Sequence, residues 1–338
     1  MTSILSGEAT SAQIAAFVTA LRAKGETPAE VDALVSVMLD HARLLDLGPD
    51  APAVVLDVVG TGGDQSHSVN ISTMTALVCA AVGVPVVKHG NRASSSSTGT
   101  ADVLEELGVV IDLEPEDVAT SVREAGIGFC FAQVHHPAMR FAAPTRRELG
   151  VPTVFNILGP LTNPAGAGAA LIGAASLVLA PVMADVLLRR GVRALVVRGE
   201  DGLDEFSTSS LTRVWDATAD TVVEVLVDAA DFGIGPVDAA LLRGGDRARN
   251  ATLLRKSLAA AGAGAGEDWA QVAAIRDAVA LNAAAALVAY DAATGEPMDL
   301  PLIERMRGRL ARARDVLDSG AALEALDRWI DVTTGLRH

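Results

Sequence analysis

The sequence predicts an α/β protein built on a mostly parallel sheet and entered through a helical N-terminal segment. Three observations carry that prediction. Residues 10–46 hold apolar side chains at helical spacing, and short β-branched runs take over from residue 53. Those runs then alternate with helix-patterned segments, as a parallel sheet requires. The 338 residues are half apolar with only 3% aromatic, which is enough for a large domain with a smaller companion.

In chain order, TSAQIAAFVTALRAKG places Ile14, Phe17, Val18 and Leu21 on one helical face and stops at Gly25. TPAEVDALVSVMLDHARLL opens with Thr27 as N-cap, Pro28 in the first turn and Glu30 three residues on, a capping box. Asp50, Pro52 and their neighbours form a linker. AVVLDVVGTGGD is a continuous β-branched run, a buried strand by composition. A helix from Ser72 to Val82, a strand VPVVKHG, a helix from Ala101 to Leu107 and a strand GVVIDL follow. Further on come a strand ALVVRG near 194–199 and the β-rich stretch TRVWDATADTVVEVLV. AAAGAGAGE (259–267) reads as a surface loop, and LNAAAALVAY and ERMRGRLARARDVLDSG as C-terminal helices.

Bulk properties narrow the function. A formal net charge of −15 argues against a sequence-independent grip on nucleic acid. Cys79 and Cys130 sit in apolar surroundings, as in a reducing compartment. MTSILSGEAT shows no secretory pattern, and no apolar run of membrane-spanning length stands free of Gly, Pro or charge, so a soluble cytoplasmic protein is expected.

Four clusters hold residues able to do chemistry. Gly60-Thr61-Gly62-Gly63-Asp64 follows a strand, where glycines let backbone N–H groups approach an anion; a plain tight turn explains it equally. Asn70-Ile71-Ser72-Thr73 opens the next helix, a phosphate-binding position, with Ser72 as simple N-cap the competing reading. Lys88-His89-Gly90-Asn91-Arg92 ends a strand, and Ser94–Ser97 with Thr98 and Thr100 add hydroxyls that suit a polyanion or simply form a polar loop. His135-His136-Pro137-Ala138-Met139-Arg140 invites zinc, but adjacent side chains diverge and no partner pattern accompanies them. Nearby, Arg146 or Arg147 suits a carboxylate, or is a surface charge. Gly199-Glu200-Asp201-Gly202-Leu203-Asp204-Glu205 ends another strand and suits Mg²⁺, or is a solvated acidic turn.

Taken together, GTGGD, NIST, KHGNR with its Ser-rich loop, ADVLEELG, HHPAMR, RRELG, FNILGPLTNP and DGLDE resemble the anthranilate phosphoribosyltransferase family, most strongly from Asp57 to Ser207. The resemblance implies a small discontinuous helical domain (1–50 and 143–165) joined to a large α/β domain (51–142 and 166–338) with a mostly parallel central sheet, and a homodimer through the helical domains. It implies transfer of phosphoribose from phosphoribosyl pyrophosphate (PRPP) to the amine of anthranilate. PRPP would lie among Gly60, Gly62, Gly63, Asp64, Ser68, Asn70, Ser72, Thr73, Lys88, Asn91 and the Ser95–Ser96 loop. One Mg²⁺ would stand near Ser72 and a second at Asp204 and Glu205. Anthranilate would enter near His89, Asn91, His136, Met139 and Gly159, with Arg146 facing its carboxylate; Lys88, Asn91 and Arg146 form the implied catalytic set. No protein nucleophile is required. Against the family pattern the chain begins about a helix and a half into the helical domain. Gln133 stands where Pro is common, Arg198 where His is frequent and Ser97 where a basic residue is frequent. A substituted anthranilate as acceptor, a nucleoside phosphorylase and a nucleic-acid-binding relative are the alternatives. Nucleic acid and membrane are not expected partners.

Overall fold

The computed structural model describes residues 1–49, 51–93, 98–263 and 266–337. Its centre is a seven-stranded sheet of β1 (Leu56–Gly60), β2 (Val86–Gly90), β3 (Ile127–Phe131), β4 (Ala169–Gly173), β5 (Arg193–Gly199), β6 (Thr212–Ala217) and β7 (Val223–Val227). The spatial order is β3-β2-β1-β4-β5-β6-β7, parallel from β3 to β5 and antiparallel for the last two strands.

The N-terminal helices are α1 (Thr2–Leu5), α2 (Ser11–Lys24) and α3 (Pro28–Asp40). Between strands run α4 (Ile71–Ala81), α5 (Thr100–Leu107), α6 (Pro115–Ala125), α7 (Ala132–His135), α8 (Ala143–Leu149), α9 (Phe155–Leu158) and α10 (Ala180–Arg189). After the sheet come α11 (Arg247–Leu258), α12 (Trp269–Ala293), α13 (Leu302–Ser319) and α14 (Ala321–Gly335). The expected capping box forms at α3, where Thr27 and Glu30 bond each other's main chain; Thr10 and Gln13 build another at α2.

Strand side chains alternate between two cores, as the pleat dictates. Leu56, Val58, Leu171, Leu195 and Val197 face α4, α12, α13 and α14, whereas Ala170, Ile172, Val196 and Trp215 face α10 and the N-terminal helices. The helical end is therefore packed against the sheet through a shared core, and α8 returns to pack on α2.

Several elements depart from expectation. GVVIDL forms no strand, although Val109, Ile111 and Leu113 are buried. Thr333 Oγ1 on α14 accepts the Val110 N–H at 3.3 Å, and the place beside β2 is taken by β3, which the sequence reading missed along with Ala-rich β4. Phe17, expected in the core, is 38% exposed, while Ile14, Val18 and Leu21 of the same face are buried. Gly266–Ala293 is long and apolar enough to cross a membrane by length and composition, although it carries Gly266, Arg276 and Asp277; 83% of its apolar 18-residue window is buried in the fold, so α12 is a core helix.

Candidate active site

After β1 the chain builds β2 and β3 on one side, then returns to lay β4 on the other, so the strand order reverses between β1 and β4. Ligands of open α/β sheets gather beyond the carboxyl ends of strands at such a switch point. Here both strands end in glycine, paired as Gly60↔Gly173. A Cβ on Gly60 would stand 2.4 Å from Asp204 Oδ2, and one on Gly173 1.5 Å from the Asp204 carbonyl oxygen. The glycines let the segment carrying Asp204 and Glu205 cross the sheet end at main-chain contact. That segment is held by α12: Asn282, wholly buried, accepts the Phe206 N–H at 2.9 Å and donates to its carbonyl at 3.1 Å.

The glycine-rich turn supplies donors. Gly62 N–H bonds Asp204 Oδ2 at 2.7 Å, and Gly62, Gly63, Gln65 and His67 all have positive φ (65°, 84°, 61° and 53°). For Gln65 and His67 that conformation costs energy and is found where function demands a loop shape. Asp64 lies beside Asp204 and Ser68 borders Arg243.

Lys88, 1% exposed, sends its ammonium beneath β1 to the Val58 carbonyl and to Ser72 Oγ, the latter at 3.2 Å. Burial lowers its pKa, with Asp57, Glu205 and Asp204 opposing. Burial, then Asp64 nearby, pushes the Asp204 carboxyl up to about 7; burial, then Asp204, lifts Glu205 well above the usual range. Two desolvated neighbouring carboxylates are unfavourable unless a cation joins them. Among the described residues no group of three or more His, Cys, Asp or Glu could hold a metal. Two adjacent carboxylates fit Mg²⁺, which takes one or two from protein and completes its shell from phosphates and water.

At the end of β2, His89 donates Nδ1–H to the Gly159 carbonyl at 2.9 Å, and His136 donates Nε2–H to the Thr162 carbonyl at 3.0 Å. Because carbonyls only accept, His89 Nε2 and His136 Nδ1 carry lone pairs. Both atoms are buried without a partner among the described residues, and the rings are 5.0 Å apart. Burial lowers both pKa values, that of His136 to about 4, so both rings are neutral at pH 7. His135 is instead bonded to the Arg43 carbonyl.

Arg146 is half-buried with its guanidinium 5.5 Å over the Phe155 ring, and no acidic side chain pairs with it among the described residues. Arg147 is exposed. Arg92, the second cation of KHGNR, is taken by Asp102 and Glu105, each at 3.0 Å. Asn91 is exposed, and Asn70 donates to the Thr98 carbonyl. Thr73 is wholly buried, its N–H spent on the Asn70 carbonyl. Met139 packs on the second core. Ser94–Ser97 lie outside the described residues.

Known proteins share this fold. Residues 52–323 match the glycosyl transferase family a/b domain, and residues 1–42 its helical bundle domain. The anthranilate phosphoribosyltransferase of Salinispora arenicola (strain CNS-205) is 57% identical over 337 residues, spanning 100% of this chain and 91% of the relative. The chain belongs to the anthranilate phosphoribosyltransferase family. A crystal structure of the Thermus thermophilus member superposes with a TM-score of 0.86 at 40% identity, covering 98% of this chain and 93% of that one. The Saccharomyces cerevisiae member in complex with PRPP and Mg aligns with a TM-score of 0.82 at 27% identity, covering 96% and 86%.

Within this anthranilate phosphoribosyltransferase scaffold, sequence reasoning overlooked buried polar residues, among them Asn282 and three others. Asp57 was visible as the one charge inside the apolar run VVLDVV. Asn163 lay unremarked in FNILGPLTNP. Asn250, 2% exposed, donates to Asn70 Oδ1 at 3.0 Å and accepts the Gly245 N–H at 2.7 Å.

Proposed function

We propose that this protein transfers the 5-phosphoribosyl group of PRPP to the amine of anthranilate, giving N-(5-phosphoribosyl)anthranilate and pyrophosphate, the second step of tryptophan biosynthesis from chorismate. The observation that carries this reading is the convergence of Lys88, the α4 N-terminus, the glycine-rich turn and the Asp204–Glu205 pair at the β1–β4 switch point. The N–H groups of the turn and the start of α4 suit phosphate oxygens, and the Lys88 ammonium stands where negative charge develops on departing pyrophosphate. Asp204 and Glu205 would hold one Mg²⁺ and the surroundings of Ser72 a second, supplying positive charge to the leaving group.

The acceptor would lie beyond β2. Arg146, stacked on Phe155 with no acidic partner among the described residues, suits the anthranilate carboxylate, and Asn91 borders the same end of β2. The lone pairs on His89 and His136 suit an N–H donor such as the arylamine. Residues 143–165 belong with 1–50 as the helical domain in this reading, which the packing of α8 on α2 supports. A homodimer would bury Phe17, exposed beside Met1, Ile4 and Ala9. The free, buried thiols of Cys79 and Cys130 agree with a cytoplasmic setting.

The test follows anthranilate fluorescence with purified protein, PRPP and Mg²⁺. Loss of signal that EDTA abolishes is expected; persistent fluorescence with folded protein would reject the reaction.

A further inference from the structure

The sheet is zipped everywhere around the site except along one seam. β1 pairs with β4 from Leu56↔Ala169 to Gly60↔Gly173, and β2 with β3 from Val86↔Ile127 to Gly90↔Phe131. Between β1 and β2 the register stops at its first pair, Leu56↔Val86. A parallel ladder continuing from there would bond Val58 N–H to the Val87 carbonyl and His89 N–H to the Val58 carbonyl.

Side chains occupy the Val87 carbonyl, the His89 N–H and the Val58 carbonyl instead. Asp57 Oδ1 accepts the His89 N–H at 3.1 Å. Asn163 Nδ2 donates to the Val87 carbonyl at 2.7 Å and to Asp57 Oδ2 at 2.8 Å. The Lys88 ammonium takes the Val58 carbonyl. Asn163 Oδ1 in turn accepts the Ala165 N–H at 2.9 Å, which ties the turn after α9 to the seam. Asp57 is 1% exposed and Asn163 8%, so water does not compete for these bonds.

The geometry points to Asp57 and Asn163 as positioning residues for phosphoribosyl transfer, a role that rests on the reaction proposed above. They replace the main-chain ladder between β1 and β2. The opened seam lets the Lys88 side chain reach beneath β1 to Ser72, and it sets the height of His89. Asn163 hangs the Gly159–Asn163 segment, whose carbonyls orient His89 and His136, on the same carboxylate. Asp57 thus links the donor half of the site to the acceptor half, whereas Asn163 holds the acceptor half directly and touches the seam only at Asp57 and the Val87 carbonyl. Neither residue is placed in contact with a substrate.

That division of labour separates positioning from mere stability. Asp57→Asn and Asn163→Ala are compared with the wild type in the full chain, with the folded fraction read by circular dichroism at the assay temperature. Wild-type turnover, measured first, tests the reaction itself. For Asn163→Ala, kcat/KM for anthranilate should fall on the order of tenfold or more, with the KM for PRPP held within about threefold. For Asp57→Asn, kcat/KM should fall on the order of tenfold to a hundredfold for both substrates, as expected when a bond to a buried charge is lost. Folded variants with wild-type constants would overturn the role. So would equal losses for both substrates in Asn163→Ala, or losses that only track the folded fraction. Should Asp57→Asn fail to fold, the substrate split in Asn163→Ala alone decides the matter.

Discussion

Gly173→Ala tests how closely the acidic pair is held. The added Cβ would begin 1.5 Å from the Asp204 carbonyl oxygen, and real Cβ atoms essentially never stand closer than 3.0 Å, so the carbonyl must retreat across that gap. The obstacle is main chain, not the end of a flexible side chain. Asn282 holds Phe206 by both its N–H and its carbonyl, so the displacement cannot run downstream and concentrates on Asp204 and Glu205. Overpacking of this kind costs about 1–3 kcal/mol of stability. A ligand set moved by about 1 Å loses on the order of a hundredfold in rate. Loss of anthranilate fluorescence at a series of Mg²⁺ concentrations should show both a lower kcat and a higher Mg²⁺ requirement. Gly308→Ala is the control: nothing lies within 4 Å of its Cβ, and activity should be unchanged, with stability gained by up to about 1 kcal/mol. A folded Gly173→Ala enzyme with wild-type kcat and Mg²⁺ dependence would refute the account of how the two glycines admit Asp204.

Arg146→Ala should raise the KM for anthranilate far more than that for PRPP, and matched changes in initial-rate kinetics would remove the carboxylate role. Asp204→Asn with Glu205→Gln should raise the Mg²⁺ concentration needed for half-maximal rate by more than about tenfold, and an unchanged titration would exclude both as ligands. Asp57, pushed up to about 6 by burial, binds a proton in the folded state that the unfolded chain releases near pH 4. Its contribution is therefore present at low pH and lost as pH rises through about 6, on the order of 2–3 kcal/mol. Urea midpoints at pH 4.5 and 7 should differ less in Asp57→Asn than in the wild type, and parallel behaviour would sink the assignment. Arg305→Leu strands the buried Asp216 carboxylate on β6 and should lower stability by about 3–5 kcal/mol in denaturant titration; a loss below about 1 kcal/mol would show that the pair is dispensable.

Much of the site was legible because its polar residues interrupt apolar runs: Lys88 follows VPVV, and Asp204–Glu205 follow ALVVRG after a short turn. Strand content was legible where β-branched residues dominate, as in β1, β2 and β5. It failed at β4, whose AALIG wording has one β-branched residue, Ile172, among alanines and glycine, and which is a strand because β1 and β5 flank it. It failed in the opposite sense at GVVIDL, where alternation reports burial against α14, not a ladder. Arg92 was grouped with Lys88 by adjacency, but Asp102 and Glu105 one helix later neutralise it. The Asp57–Asn163 bond joins residues from different parts of the chain, and no local pattern signals such a partner.

The attachment of Phe206 to α12 has a dynamic consequence. Asn282 sits in the middle of the longest core helix, with α4 and α13 packed along it. Releasing Phe206 means opening that helix pair, so the Asp204–Glu205 segment belongs to the same cooperative unit as the core. The Phe206 amide should therefore exchange its hydrogen only at the rate of global unfolding, while amides of the turn at 62–67 exchange through local opening. Heat would then remove the two carboxylates and the core in one step, leaving no temperature window in which the fold survives without its acidic pair.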